Sequence, residues 1–171
     1  YSFGTEAEWV DEDNLALSAS ITTSSSMEGW GWSARFLNDG ERSALHEDSF
    51  GWSSNSDLKT DHEEWVLLDF GKEVQMKEVV LYAIDKWPSY ENPGIGLHFP
   101  GNIRFEISND GEHYQVIHEE KNIKRPSTNA NNFVFDRNIS VRFLKISGSG
   151  LRPNAAERNM HRMQFAEIVV R

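Results

Sequence analysis

Ile103-Arg104-Phe105-Glu106-Ile107 alternates apolar and charged residues, and Ser108-Asn109-Asp110-Gly111 closes the run with tight-turn residues. Period-two alternation that ends in Asp-Gly marks a half-buried strand entering a hairpin. Upstream, Trp65-Val66-Leu67-Leu68-Asp69-Phe70 runs into Gly71-Lys72, and Val79-Val80-Leu81-Tyr82 follows as a second apolar strand. Before these, Asn14 to Thr23 puts Leu15, Leu17, Ala19 and Ile21 on one face of a first strand. Downstream, Tyr114–His118, Asn132–Phe135, Val141–Ser147 and Met163–Val170 carry the same signature. Helical periodicity is nearly absent, and there is no internal repeat or low-complexity tract. The pattern predicts an all-β protein, an antiparallel β-sandwich. Residues 14–171 form one domain, and residues 1–13, ending in Glu8-Trp9-Val10-Asp11-Glu12-Asp13, form an acidic linker or N-terminal extension.

A chain of 171 residues supports one sizeable core, and halving it would leave pieces of marginal size. The 27 acidic against 17 basic residues give a formal charge of −10, which repels phosphate backbones and anionic headgroups. Nucleic acid and anionic membranes are therefore disfavoured, while neutral ligands and cations remain. With no cysteine there is no disulfide framework, no thiol nucleophile and no Cys-ligated zinc. No apolar run approaches the roughly 18 residues of a membrane span. The first residues, Tyr1-Ser2-Phe3-Gly4-Thr5-Glu6, have no leader-like pattern, so the chain reads as a mature form or an excised module.

Catalytic patterns are poor. None of the six histidines makes a helical zinc motif. Glu63-Glu64 and Glu119-Glu120 are neighbours in sequence and point to opposite faces of a strand. Glycosidase chemistry wants two carboxylates about 5–10 Å apart across a cleft, and no such pair suggests itself. The long irregular stretch Lys86–Gly101, with Pro88, Pro93 and Pro100, and the shorter Gly148–Arg158 are where a rigid sandwich places function. Of six tryptophans, Trp52 and Trp65 read as packing, Trp9 as a terminal anchor, and Trp30, Trp32 and Trp87 as loop residues.

Taken in order, Asn38-Asp39-Gly40, Trp52-Ser53-Ser54, Trp65 to Gly71, Ile103 to Gly111, Val141-Arg142-Phe143-Leu144-Lys145-Ile146 and Ala166-Glu167-Ile168 resemble the coagulation factor 5/8 type C (discoidin) family. Gly150-Leu151-Arg152-Pro153-Asn154 and Met163-Gln164-Phe165-Ala166-Glu167 are similar to modules beside rhamnosidase-like catalytic domains of bacterial glycoside hydrolases. The resemblance implies a jelly-roll sandwich of the galactose-binding-domain-like fold. It also implies a structural calcium held by Asp39 and Glu167 side chains, with the carbonyls of Leu37 and Ala166. Calcium takes about 6–8 hard oxygen ligands, which a carbonyl-rich turn beside carboxylates can supply.

The function implied is a non-catalytic carbohydrate-binding module of a larger exported protein: secreted, periplasmic or on the cell surface, monomeric, with a catalytic domain as neighbour. A sugar site needs one flat apolar face and a few planar polar groups. The candidates are Asp85, Lys86 and Trp87, with Tyr90 near by, then His98, Phe99, Arg152 and Asn154. The alternatives are a discoidin-type module that binds protein or lipid, and a spacer without a ligand site.

Overall fold

The computed structural model describes residues 14–43, 49–55, 60–87 and 93–171. The linker reading of residues 1–13, and the reading of Pro88 and Tyr90, lie outside the described residues.

Among the described residues ten strands carry the fold: β1 (Ser20–Thr23), β2 (Trp52–Ser53), β3 (Glu64–Tyr82), β4 (Asn102–Ser108), β5 (Gln115–Glu120), β6 (Ala130–Ser149), β7 (Pro153–Asn154), β8 (Met160–His161), β9 (Gln164–Phe165) and β10 (Glu167–Val170). β3 and β6 are long antiparallel partners, from Glu64 opposite Gly148 to Tyr82 opposite Ala130. Their register breaks between Asp69 and Val74, where Gly71 sits at φ +76°. On one side of this break β1, β3, β6, β4 and β5 lie in order; on the other, β10, β3 and β6 do. The two long strands thus pass through both layers of an antiparallel sandwich.

Between the layers, Val66, Leu68, Phe105, Leu144 and Ile146 meet Val79, Leu81, Phe133, Ile168 and Val170 in one core. Alternation explains the choice, since every second side chain of a strand faces inward. Val80 and Tyr82 face the other way and are buried too, under Trp32, Phe50, Ile84 and Ala166. Burial on both faces is why Val79–Tyr82 reads as an uninterrupted apolar run.

Two expectations are corrected. Residues 15–18 form a 3₁₀ turn, not a strand, because the Asn14 side chain accepts from Ala16 N (3.0 Å) and from Val170 N (3.1 Å). Trp65 is not in the core: Val66 and Leu68 point inward, so Trp65 lies half-exposed on the outer face. There the Lys145 ammonium stands 5.2 Å from its ring centre. Trp52 is fully buried as expected, stacked on Phe165.

The long connections gather and tie to one another. Met27 N donates to Ser53 O (2.8 Å), Gly96 N to Ile84 O (3.0 Å), Gly101 N to Gly150 O (3.0 Å), Ile123 N to Gly101 O (2.8 Å) and Gln164 N to His98 O (3.1 Å). Buried Glu64 pins the start of the 24–33 loop, accepting from Ser24 and Ser25 hydroxyls at 2.8 and 2.7 Å. This cross-linked loop cluster positions the candidate site.

Candidate functional site

Glu167 opens β10 with no exposed surface. Its Oε2 accepts from Gly40 N at 2.7 Å, while its Oε1 is buried without a partner among the described residues. Asp39, at the end of the 3₁₀ turn Ala34–Asn38, is exposed as a residue, yet its carboxyl reaches Glu167. Its Oδ1 also accepts from Glu41 N at 2.9 Å. Burial first, and the Asp39 charge second, push the Glu167 pKa up to about 10. Partial burial raises Asp39 as well. Without another positive charge the pair holds a proton. An orphaned buried carboxylate oxygen beside a second carboxylate is also what a hard cation would satisfy. Leu37 and Ala166, both buried, adjoin this pair in the chain. Among the described residues no third Asp, Glu or His joins the cluster.

Trp87 is half-buried on the small aromatic cluster that covers Val80 and Tyr82. Its indole N–H donates to Gly94 O at 3.1 Å, and its ring meets Trp32 edge-on at 6.1 Å and His98 edge-on at 6.5 Å. The ring is therefore fixed in place before any ligand arrives. His98 is 2% exposed, with Nδ1 at 3.0 Å from the Arg152 carbonyl. A carbonyl only accepts, so Nδ1 carries the proton and Nε2 is left as an acceptor. Burial, followed by the Arg162 charge, lowers the His98 pKa to about 4 and keeps the ring neutral.

The other candidates divide. Asp85, half-exposed, buries an Oδ1 that has no partner among the described residues, and Lys86 is exposed. Phe99 is 1% exposed and packs edge-on to Phe165, so its side chain belongs to the core. The Arg152 guanidinium donates to Phe99 O and Ile123 O and clamps two loops. The Asn154 side chain caps the 3₁₀ turn Ala155–Glu157 by accepting from Ala156 N at 3.0 Å. Asp85, Lys86 and Trp87 thus keep exposed surface, while His98, Phe99, Arg152 and Asn154 lie behind or beside them.

Sequence reasoning missed two groups here. Buried Arg162 pairs with Glu157 at 2.6 Å, and its Nε and the buried Nδ1 of His161 have no partner among the described residues. The Arg162 charge acts on His98. The short β7–β8 ladder brings them there, and neither strand has a readable pattern at two residues each.

A family model described as the F5/8 type C domain matches residues 20–163. A search of curated proteins finds no match. Among solved structures, the fold is similar to the family 32 carbohydrate-binding module of Clostridium perfringens NanJ in complex with galactose. The TM-score is 0.68 at 12% identity, over 92% of this chain and 97% of that one. It is also similar to chitosan-binding module 2 of a Paenibacillus chitosanase/glucanase in complex with chitotriose, with a TM-score of 0.66 at 15% identity, covering 92% and 98%. The lectin domain of lectinolysin complexed with Lewis B antigen scores 0.64 at 16% identity, covering 92% and 95%.

Proposed function

The chain belongs to the F5/8 type C domain family, and from that premise we propose that it is a non-catalytic carbohydrate-binding module with its sugar site at Trp87. The observation that carries the reading is the pre-set indole beside a neutral His98. A flat apolar face suits the C–H side of a pyranose, and His98, packed edge-on against that ring, keeps Nε2 as an acceptor. Asp85, half-exposed, and the exposed Lys86 next to Trp87 in the chain offer further acceptor and donor capacity. Solved neighbours in complex with galactose, chitotriose and Lewis B antigen support the ligand class. The module belongs, in this reading, to a larger exported protein with a catalytic neighbour, and gains strength from avidity rather than from one tight site.

Glycan-array screening, followed by calorimetric titration of the parent and Trp87→Ala, tests the site. A loss of about 1–3 kcal/mol is the expected result for removing a large apolar face. Equal binding by both proteins would place the site elsewhere.

A structural calcium is part of the proposal. Asp39 and Glu167 would hold it, with the carbonyls of Leu37 and Ala166, and the orphaned Glu167 Oε1 is the feature that fits it. When bound, such an ion supplies charge neutralisation inside the loop and a cross-link between residues 37–41 and β10. The test is a thermal melt in chelator and then in excess calcium, because a ligand of the native state alone stabilises by mass action. A melting curve that ignores both additions would sink the calcium assignment and leave the carboxylate pair sharing a proton.

A further inference from the structure

Trp30 is 85% exposed, the most exposed large apolar side chain among the described residues. It sits at the tip of a two-residue turn in which Gly29 N donates to Trp32 O (2.9 Å) and Trp32 N to Gly29 O (3.0 Å). Trp30 has φ +57° and Gly31 φ +89°, the mirror-image turn that normally takes Asn-Gly or Gly-Gly. A bulky side chain there is held in a disfavoured conformation and gains no burial in return. Strain of this kind persists where the surrounding structure over-determines it, and it gathers at ligand sites. The surroundings do over-determine it. The Glu28 carboxylate fixes the turn by accepting from Ser26 Oγ (2.7 Å), Ser33 Oγ (2.8 Å) and Ala34 N (3.0 Å).

The turn also adjoins the Trp87 site. Trp32, which closes it, is the ring against the edge of Trp87. Trp32 equally walls a shallow groove of about 220 Å³ that runs past Gly29, Gly31, Ser33, Arg35 and Phe36. A ligand on Trp87 that extends past Trp32 would enter this groove, whose lining residues Gly29 and Gly31 flank Trp30 in the chain. We infer that Trp30 is a second aromatic platform and that the module reads a glycan chain of two or more units rather than a single sugar. The inference rests on the carbohydrate reading of Trp87. Charge separates it from a membrane anchor: the chain carries −10, and Glu28 lies two residues from the exposed ring.

Trp30→Asn tests it, since Asn tolerates the left-handed turn while removing the ring. The probes are galactose and glucosamine as single units, and GalNAc-β-1,3-galactose and chitotriose as chains. In the parent, a chain should bind about tenfold or more tighter than its unit. In the variant that gain should vanish while single-unit binding stays within about twofold. Equal binding of chain and unit by the parent, or an unchanged chain advantage in the variant, overturns the inference and spares the Trp87 reading. Should the parent bind none of the four, the carbohydrate reading falls and this inference with it. Capture by phosphatidylcholine–phosphatidylserine vesicles that Trp30→Asn abolishes, without any chain advantage, would reassign the ring to a lipid surface.

Discussion

At the residue scale, three tryptophans that look alike in the sequence separate by what touches them. Trp52 is fully buried, Trp87 half-buried and Trp65 half-exposed under Lys145. Trp52→Ala should cost roughly 3–5 kcal/mol of stability, as core aromatic truncations do. Trp65→Ala should cost only about 1–2 kcal/mol, from partial burial and a surface cation–π contact. Urea unfolding of the two variants side by side checks the order, and equal losses would contradict the outward placement of Trp65.

His98 gives a pH prediction of definite sign. Its pKa falls to about 4 in the folded chain, from an ordinary 6.5. Between those values the unfolded state binds more protons, so this residue's contribution makes stability rise with pH and level off above about 6.5. Melting temperatures of the parent and His98→Asn measured between about pH 4 and 7 should converge or cross toward the acid end. A parent–variant gap that stays constant with pH would mean that His98 is not the titrating group.

At the element scale, much of the sandwich was legible because strands advertise themselves by alternation. β4 and its Asn109-Asp110-Gly111 turn, the outer parts of β3 and the inward residues of β6 all follow their pattern. The misreadings share a cause. Asn14 draws residues 15–18 into a turn through its side chain, and a side-chain acceptor leaves no periodic trace. The continuity of β3 with its second half was hidden because Asp69-Phe70-Gly71-Lys72 carries turn residues, whereas the ladder to β6 resumes after it. The candidate site was legible only as loops rich in aromatic and planar groups. Which of those groups face a ligand depends on loop-to-loop hydrogen bonds, as with the Arg152 clamp, and sequence does not encode these locally.

The short strands matter more than their length suggests. β2 pairs with β9 through Trp52 opposite Phe165, and Gly51 just before it has φ +134°. A Cβ there would stand 2.5 Å from Phe165 O. Gly51→Ala combines backbone strain with overpacking against main chain, so a loss of roughly 2–4 kcal/mol is expected. Chemical denaturation reads this directly, and a neutral result would show that β2 and β9 can part without unfolding the rest.

At the scale of the whole molecule, the acidic surface separates the possible partners. A neutral glycan recognised by stacking and hydrogen bonds should bind with nearly the same affinity from about 0.05 to 0.5 M salt, because no net charge is neutralised. A charged polymer or headgroup would show a steep salt slope. Titrating one array hit at both salt concentrations distinguishes them, and a strong salt dependence would argue that the acidic surface itself takes part in binding.

The β3–β6 ribbon also sets the order in which the chain can become a protein. Glu64 waits for Gly148, and everything between, including β4 and β5, must leave the ribosome first. Loop closure over so long a span is slow compared with hairpin formation. During synthesis Val66, Leu68 and Val79–Tyr82 therefore spend time as bare apolar strand, the kind of segment that seeks any partner edge. Yield on overexpression should consequently depend on temperature and chaperone supply more than equilibrium stability would suggest. Deletions that remove residues beyond about 130 should give insoluble chains, however many of the earlier strands they keep.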